Sequence, residues 1–262
     1  MPKQFCVVGT DARQRAAAQA LQAAGYRVTG AEGAGGADYM LLPMPLEAEA
    51  IDLARLLRAV RPGTLALGGR VSEPVRQAAQ EAGIELVDYF LRPELECLNA
   101  VPTAEGCLAL LMQLREKTVW ESAFLVLGYG RVGRAVAKRL ALLGGHVTVA
   151  VRSAEQRAAA RCAGHHAAAL AVLPRLLPGF DAVINTIPAP VLGAAELACL
   201  PPGALVIDLA SRPGGTDFAA AQRLGITARH ALSLPARCAP QTAGMLVAQT
   251  VLSILQERGE TP

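Results

Sequence analysis

A strand, a glycine turn, a helix and a second strand follow one another in FLVLGYGRVGRAVAKRLALLGGHVTVAVRS, residues 124–153 of this 262-residue chain. The turn contains G-x-G-x-x-G at Gly128, Gly130 and Gly133. Such a match alone is weak, but its place between an apolar strand and a helix predicts a dinucleotide site. The first glycine permits a tight turn, the second admits a pyrophosphate to the backbone, and the third lets the helix lie close to the strand. The N–H groups and positive pole at the helix start then face the phosphates. The competing interpretation is a glycine turn that binds nothing.

The second strand of this unit ends on Arg152 and Ser153 instead of Asp or Glu. An acidic residue there accepts hydrogen bonds from the ribose hydroxyls of NAD, whereas an arginine pairs with the 2′-phosphate of NADP. Arg157 follows closely enough to join the same phosphate pocket. The sequence therefore predicts NADP, with NAD as the alternative and an ordinary surface arginine as the competing interpretation of Arg152. The residues expected at the cofactor are Gly128, Tyr129, Gly130, Arg131, Val132, Gly133, Arg152, Ser153, Arg157, Asn185, Thr186, Ile187 and Pro188.

Strand-like and helix-like segments alternate along the whole chain, which implies parallel sheets covered by helices on both faces. We predict an α/β protein of two Rossmann-like, doubly wound parallel-sheet domains with an interdomain cleft. The domains are expected at 1–101 and 102–240, with the helical pattern 241–258 packing back on the first. A long helix is expected to begin at Pro102, with Thr103 as its cap. The other strand candidates are 3–9, 26–30, 38–45, 63–69, 84–90, 180–188, 203–215 and 225–234, and the other helical candidates are 12–25, 47–60 and 72–82.

Composition excludes several classes of protein. The net charge of +3 is spread along the chain, so no nucleic-acid partner is expected. The apolar runs are short and interrupted, and MPKQFCVVGT lacks the regions of a signal peptide, so neither a membrane span nor export is expected. None of the six cysteines forms a C-x-x-C pair or has a histidine at ligand spacing, which argues against a metal site and suits a reducing cytoplasm.

Beyond the glycine fingerprint, five further stretches occur together in one order: VGTDARQ (8–14), NAVPTAEG (99–106), INTIP (184–188), IDLASRPGGTDF (207–218) and APQTAG (239–244). With them the chain resembles the A subunits of the dipicolinate synthases of spore-forming bacteria, over nearly its whole length. The chain departs from that family in a shorter region around 30–50. It also departs at Ala236, Arg237 and Cys238, where the family carries a Gly and apolar residues before A-P-x-T-A-G.

The resemblance implies an NADP-dependent oxidoreductase that converts dihydrodipicolinate, formed from 4-hydroxy-tetrahydrodipicolinate of the lysine pathway, to dipicolinate during sporulation. It implies a flavoprotein-like B subunit of dipicolinate synthase as partner and the mother-cell cytoplasm as location, and it leaves homo-oligomerisation open. It also implies an architecture like that of the 2-hydroxyacid dehydrogenases and alanine dehydrogenase. The alternatives are another NAD(P)-dependent two-domain dehydrogenase of 2-hydroxy or amino acids, and a non-catalytic nucleotide-binding module.

To oxidise a dicarboxylate ring, the protein must bind its two carboxylates, place the ring against the nicotinamide and accept or relay a proton. Ligands of open α/β sheets bind beyond the carboxyl ends of the strands, which selects Asp208, Ser211 and Arg212 after the strand ALVI. By resemblance to the 2-hydroxyacid dehydrogenases, Arg212 is the leading carboxylate anchor, and a surface arginine in a Pro-Gly-Gly turn is the alternative. The catalytic candidates are Arg212, Asp208, Ser211 and His230. The base stays open among His230, Asp208, Asp217, Glu105 and water.

The first domain is expected to supply further substrate contacts. Thr10, Asp11 and Arg13 follow its first strand, with Arg13 a second carboxylate contact, and a plain helix cap is the alternative role for Asp11. Asn99, Thr103 and Glu105 are expected near the floor of the cleft. His146 is expected to begin the strand after the fingerprint helix, and His165 and His166 are expected in a connecting segment.

Overall fold

The computed structural model describes residues 2–44, 46 and 52–260 and divides the chain into two compact units. The first unit comprises Met1–Asn99 with Ala239–Pro262, and the second comprises Ala100–Cys238. The predicted strand 38–45 and helix 47–60 extend onto residues 45 and 47–51, which lie outside the described residues.

The first unit is built on a parallel sheet in the order β2-β1-β3-β4-β5. In chain order its elements are β1 (Gln4–Val7), α1 (Ala12–Ala23), β2 (Arg27–Thr29), a 3₁₀ helix (Ala31–Gly36), β3 (Tyr39–Leu41), α2 (Leu53–Ala59), β4 (Leu65–Gly68), α3 (Glu73–Glu81), β5 (Glu85–Asp88), a 3₁₀ helix (Tyr89–Leu91) and the start of α4 (Pro93–Leu114). Phe5 pairs with Tyr39 across β1 and β3, and the two rings contact each other at 4.9 Å between centroids. Apolar side chains from both faces of the sheet are buried, as the near-continuous hydrophobic strands predict.

The second unit contains a larger parallel sheet, in the order β11-β10-β9-β6-β7-β8. Its elements after α4 are β6 (Ala123–Leu127), α5 (Arg131–Leu142), β7 (His146–Val151), α6 (Ala154–Cys162), β8 (His166–Ala169), a 3₁₀ helix (Leu170–Val172), α7 (Leu173–Leu176), a 3₁₀ helix (Leu177–Gly179), β9 (Ala182–Asn185), α8 (Ala194–Leu197), β10 (Leu205–Asp208), α9 (Phe218–Arg223), β11 (Thr227–His230) and α10 (Leu234–Cys238). The chain then returns to the first unit through α11 (Pro240–Glu257).

The register of the second sheet brings four residues into one row at its carboxyl edge. Leu127 of β6 pairs with Asn185 of β9, Asn185 with Asp208 of β10, and Asp208 with His230 of β11. The chain runs from β6 to β7 on one side and returns to β9 on the other, so a topological switch point lies between β6 and β9. Open parallel sheets bind their ligands at such a point.

Two predicted elements differ from the structure. The helix expected at Pro102 begins at Pro93 and runs for 22 residues, so Pro102 lies inside it and Thr103 is not its cap. The additional turns bury Leu95 completely, and this packing outweighs the N–H that Pro102 cannot donate. By length and composition α4 would also reach across a bilayer, a weak sign that core helices share. The segment that contains His166 is the strand β8, which the alanine run HAAA did not predict because alanine has little strand preference.

Helix α11 completes the first unit by packing against α1. A side chain at Gly244 would overlap the backbone oxygen of Arg13 and lie 2.7 Å from the Cβ of Ala16, so only glycine allows this approach. Beyond the helix, Glu260 accepts hydrogen bonds from the Nζ of Lys3, at 3.0 Å, and from the hydroxyl of Tyr39. The Nζ of Lys3 also donates to the hydroxyl of Tyr39 at 2.8 Å, and this hydrogen bond, followed by that to Glu260, raises the pKa of Lys3. For Glu260 burial alone would raise the pKa, but the hydrogen bonds from Tyr39 and Lys3 bring it below its usual value.

Candidate cofactor and substrate site

The glycine turn after β6 has a backbone that other residues adopt with difficulty. Gly128 has φ +92°, and its N–H donates to the oxygen of Ala150 at 3.0 Å, which fixes the turn to β7. A Cβ at this position would lie 2.5 Å from the Oγ1 of Thr186. Both conformation and space therefore require glycine here.

The other two glycines differ in what surrounds them. A Cβ at Gly133 would overlap the backbone oxygen of Gly128, so this glycine lets α5 lie against the turn. A Cβ at Gly130 would meet nothing within 4 Å, and its φ of −77° suits any residue. Nothing in the protein's own packing explains a glycine at 130, whereas a ligand at the start of α5 does. The space and the uncapped helix start fit the pyrophosphate of a dinucleotide.

The predicted adenosine-end residues lie together at the carboxyl end of β7. Arg152 and Ser153 are exposed, and the Nη1 of Arg157 donates to the oxygen of Arg152 at 2.9 Å, which folds Arg157 back to the strand end. The hydroxyl of Ser153 accepts from the N–H of Gln156 at 3.3 Å and so caps α6. Two guanidinium groups and a helix start therefore share this corner of the sheet, which favours an anionic group.

The remaining cofactor candidates follow β9. The hydroxyl of Thr186 donates to the oxygen of Leu127 at 2.8 Å, which ties the end of β9 to β6 at the switch point. Asn185 is fully buried, and its amide both accepts from the N–H of Ile187 at 3.0 Å and donates to the oxygen of Ile187 at 3.1 Å. Pro188 is exposed beyond them. The side chain of Asn185 thus sets the path of the chain along the edge where the nicotinamide end is predicted.

Asp208 is also fully buried, and N–H donors occupy both of its oxygens. The Oδ1 accepts from the Nδ2 of Asn185 and from the N–H of Ala210, each at 3.0 Å, and the Oδ2 accepts from the N–H of Gly215 at 2.8 Å. Sequence alone makes this carboxylate a candidate catalytic residue. Its geometry favours a structural role in which it holds the loop 209–216 in one conformation.

The tip of that loop carries Ser211 and Arg212, both exposed. The N–H of Gly214 donates to the oxygen of Ser211 at 2.9 Å and closes the turn between them. Among the described residues no hydrogen-bond acceptor or carboxylate engages the Arg212 guanidinium. A fixed loop that presents a guanidinium in this way suits the binding of a carboxylate.

His230 supports the same loop from β11. Its Nε2 lies 2.8 Å from the oxygen of Ala210, and because a carbonyl only accepts, the Nε2 carries the proton. The ring stacks on Phe218 at 5.3 Å and 21°, a neighbour that no sequence pattern indicates. Asp217 caps α9 by accepting from the N–H of Ala220 at 2.8 Å. His230 thus keeps its second ring nitrogen, Nδ1, for other chemistry.

Two other candidates in this unit have partners of their own. Tyr129 is buried, edge-on to His165 at 6.1 Å, and burial lowers the pKa of His165. Glu105 pairs with Arg139 at 3.1 Å. Arg139 lies eight residues after the first residue of α5, and hence roughly 12 Å from the glycine turn along the helix axis. The structure therefore does not bring Glu105 together with Asp208 and Arg212. Val132 packs on the core, and Arg131 begins α5.

In the first unit the predicted substrate residues are engaged locally. The Oδ1 of Asp11 accepts from the N–H of Gln14 at 2.8 Å and caps α1. Arg13 is only 7% exposed, pairs with Asp11 at 3.4 Å and donates to the oxygen of Met44. Its charge is thus met within the protein, as that of a structural arginine is. Thr10 precedes this cap, while Asn99 and Thr103 lie within α4.

No group of three histidine, cysteine, aspartate or glutamate side chains is arranged to hold a metal ion within residues 2–44, 46 and 52–260.

Comparison with known proteins shows that the second unit is similar to a recognised family of domains. Residues 108–218 match the NAD-binding domain of the D-isomer-specific 2-hydroxyacid dehydrogenases. This match covers β6 to β10 with the glycine turn, and it supports a nicotinamide dinucleotide cofactor and oxidoreductase chemistry.

Similar proteins are found by sequence, over 68% of this chain, and by structure, over 97% of it or more. The A subunit of dipicolinate synthase from Bacillus subtilis (strain 168) is 38% identical over 179 residues, which is 68% of this chain and 60% of that relative's length. The crystal structure of the A subunit from Bacillus halodurans has a TM-score of 0.87 at 29% identity and covers 97% of both chains. The crystal structure of the Bacillus subtilis protein has a TM-score of 0.85 at 29% identity, over 98% of this chain and 97% of that one. In sequence and in fold, this chain is a relative of the dipicolinate synthase A subunits.

Proposed function

We propose that this protein is the NADP-dependent oxidoreductase subunit of a dipicolinate synthase and that it oxidises dihydrodipicolinate to dipicolinate. The observation that carries the proposal is the carboxyl edge of the second sheet. There the glycine turn, the chain after β9 and the Arg212 loop follow neighbouring strands, within one unit. A dinucleotide site and an anion site on one sheet edge are what the oxidation of a carboxylate substrate requires.

The residues present fit NADP. Gly130 leaves room at the start of α5 for the pyrophosphate, and Arg152 with Arg157 offers two guanidinium groups to a 2′-phosphate. Bound there, NADP would supply the acceptor for the two electrons and the hydrogen that leave the ring. A surface arginine without this role remains the alternative for Arg152, and NAD would then be the cofactor.

The substrate of this reaction is a ring with two carboxylates, and Arg212 is the group we assign to one of them. A guanidinium binds a carboxylate through two parallel hydrogen bonds, which fixes the direction of the ring as well as its position. Asp208 anchors the loop beneath Arg212 near both of its ends, through the N–H groups of Ala210 and Gly215, which limits the conformational freedom lost when the anion binds. Arg212 therefore orients the carbon that loses its hydrogen.

The oxidation also releases a proton from a neighbouring ring atom. Asp208 does not serve, because N–H donors occupy both of its oxygens inside the loop. The Nε2 of His230 donates to the oxygen of Ala210, so only the Nδ1 of this ring could accept the proton. We therefore assign the proton to water, with the Nδ1 of His230 as the alternative, since formation of an aromatic ring makes the loss favourable.

The same proposal includes a partner and a setting. The relative from Bacillus subtilis is named as one subunit of its synthase, which implies a second subunit, and we propose a flavoprotein-like B subunit as the partner of this chain. Dipicolinate would be made in the mother-cell cytoplasm of a sporulating bacterium, from a precursor taken from the lysine pathway.

The test is an assay of the purified protein with NADP and freshly made dihydrodipicolinate, with and without the candidate B subunit. We expect dipicolinate, detected by the ultraviolet absorbance of its ring. Arg212→Ala should raise KM by roughly 10- to 100-fold, since a charge-assisted hydrogen-bonded pair is lost, and Arg212→Lys should restore part of that loss. Arg223→Ala, an exposed arginine at the far end of α9, is the matched control. No product under either condition would refute the proposal.

A second candidate is another NAD(P)-dependent dehydrogenase, acting on a 2-hydroxy acid, which the family of the matched domain favours. Against it, the Nε2 of His230 donates to a backbone oxygen, whereas such enzymes usually pair a catalytic histidine with a carboxylate. Turnover of a 2-hydroxy acid, together with inactivity on dihydrodipicolinate, would favour this candidate.

A further inference from the structure

Two loops at the carboxyl edge of the second sheet are joined by one buried amide. The β9 loop (residues 186–193) follows Asn185, and the β10 loop (residues 209–216) follows Asp208. The Nδ2 of Asn185 donates at 3.0 Å to Asp208 and at 3.1 Å to the oxygen of Ile187. One amide group therefore contacts the β9 loop, at Ile187, and the residue that precedes the β10 loop, Asp208. Asn185 and Asp208 are both fully buried.

A second set of contacts joins the same loops farther from the strands. The oxygen of Gly215 accepts from the N–H groups of Val191 and Leu192, each at 2.9 Å, and Leu192 forms a parallel bridge with Thr216. A Cβ at Gly215 would lie 2.5 Å from the Nδ2 of Asn185. The same Cβ would lie 2.7 Å from the oxygens of Ile187 and Ala189. The loops are therefore packed together as closely as their backbones permit.

Separation of the loops would be costly. The Nδ2 of Asn185 would lose one of its acceptors. The buried Oδ1 of Asp208 would lose one of its two N–H donors. A buried polar group without its partner loses the hydrogen bond and regains no water. A displacement of the β9 loop is therefore passed to the β10 loop through contacts that have little freedom to yield.

We propose that Asn185 and Asp208 are positioning residues through which occupancy of the cofactor site further restrains the loop that presents Arg212. The inference rests on the proposed function, which places the nicotinamide end of the cofactor against residues 185–188. Cofactor held against the β9 loop fixes Ile187, Ile187 fixes the amide of Asn185, and Asn185 holds Asp208. Asp208 then holds the N–H groups of Ala210 and Gly215 on either side of Arg212. Occupancy of the cofactor site would accordingly tighten the binding of the dicarboxylate.

Two variants break the link from different sides. Asn185→Ala removes the bridging amide and leaves the glycine fingerprint intact. Gly215→Ala keeps every polar group and places a methyl group between the loops. The matched control is Asp181→Asn, which alters a carboxylate at the opposite edge of the same sheet, where Asp181 accepts from the N–H of Ala123 at 2.9 Å.

The experiment is hydrogen–deuterium exchange of the full chain with and without saturating NADP⁺. In the native protein and in Asp181→Asn, NADP⁺ should slow exchange at 128–133, 186–188 and 209–216, with the last segment slowed by roughly 5- to 150-fold, as expected for coupled sites. In Asn185→Ala and Gly215→Ala the segment 128–133 should still be protected, whereas 209–216 should exchange at the rate without cofactor. Unchanged exchange of 209–216 in the native protein, or its continued protection in a folded Asn185→Ala protein, would overturn the inference.

A second measurement separates this inference from the proposed substrate. Titration of pyridine-2,6-dicarboxylate should show tighter binding with NADP⁺ than without it, and Asn185→Ala should abolish the difference without abolishing the binding. If the native protein binds no dicarboxylate, the proposed function fails, while the exchange of 209–216 still decides whether the two loops are coupled. The two failures are thus distinguishable.

Discussion

We expect single residues at the strand ends to decide whether this unit prefers NADP or NAD. Arg152 is exposed at the end of β7, and Arg157 folds back to donate to its backbone oxygen. The proposed preference depends on the charge of these side chains. A guanidinium gains most from a phosphate dianion and little from a bare ribose.

Arg152→Asp should therefore separate the two cofactors. We expect the Kd for NADPH to rise by roughly 10- to 100-fold, since an attractive contact with the 2′-phosphate becomes a repulsion. The Kd for NADH should hold or fall, because a carboxylate accepts hydrogen bonds from the ribose hydroxyls. Fluorescence titration of both reduced cofactors measures the change, with Arg161→Asp at the other end of α6 as control. Equal titration curves for both cofactors in the native protein would remove the assignment to NADP.

At the scale of elements, the contact between β6 and α5 depends on two glycines that act differently. Gly133 is required by the close approach of the helix to the turn, whereas Gly130 borders open space. The first serves the fold, and we propose that the second serves the ligand. This difference is visible only in the structure, since both positions match the same motif.

Alanine at each position should show the difference. Gly133→Ala should lower the free energy of unfolding by about 1–3 kcal/mol, the cost of overpacking. Gly130→Ala should cost at most about 1 kcal/mol as a change of helix cap, yet it should abolish cofactor binding. Urea unfolding and cofactor titration measure the two effects, and Gly179→Ala, which also meets nothing within 4 Å, should change neither. Full cofactor affinity in Gly130→Ala would contradict the assignment of this space to the pyrophosphate.

The prediction of elements succeeded where sequence pattern and packing agree. The two Rossmann-like sheets follow from the alternation of apolar strands and helices, and the match to the dehydrogenase domain confirms that fold. The start of α4 could not be predicted, because the burial of Leu95 depends on a core that forms only in three dimensions. Strand β8 was missed for a related reason, since its pairing with β7 compensates for the weak strand preference of alanine.

The sequence selects the strand ends that form the candidate site, but the contacts among its side chains could not be predicted. The rule that ligands bind beyond strand ends selected Asn185, Asp208 and Arg212. It does not say that Asp208 is enclosed by N–H donors or that His230 donates to Ala210, because those contacts depend on the register of β9, β10 and β11. Two of the side chains selected as reactive are therefore supports of the loop that carries Arg212.

At the scale of the whole molecule, a partly buried charge cluster makes stability depend on pH. Glu260 accepts from Lys3 and Tyr39, and its pKa is lowered below its usual value. A carboxylate with a depressed folded pKa stabilises the native state above its unfolded pKa, about 4.3 for glutamate, and loses that contribution as the pH falls. The cluster thus stabilises the first unit at neutral pH and not in strong acid.

Glu260→Gln should remove part of this dependence. We expect the native protein to lose more unfolding free energy than the variant as the pH falls below about 4.3, because there the carboxylate of the unfolded chain takes up a proton before the paired one does. Urea unfolding across this range measures the difference. Glu81→Gln, an exposed carboxylate of α3 whose partner is the amide of Gln77, is the control. Parallel curves for the native protein and Glu260→Gln would contradict the role of the cluster.

The place of α11 in the fold has a consequence for synthesis on the ribosome. Val247, Val251 and Leu255 of this helix are buried in the same core as Phe5 and Leu21, so the unit that begins with the first strand lacks part of its interior until residues 240–257 have been translated. The second unit, Ala100–Cys238, is encoded between the two segments of the first unit and is therefore translated completely before the first unit is. It can fold while apolar surface of the first unit is still exposed. Translation order and folding order are thus reversed in this polypeptide, and the nascent first unit is the stage at which chaperones have most to protect.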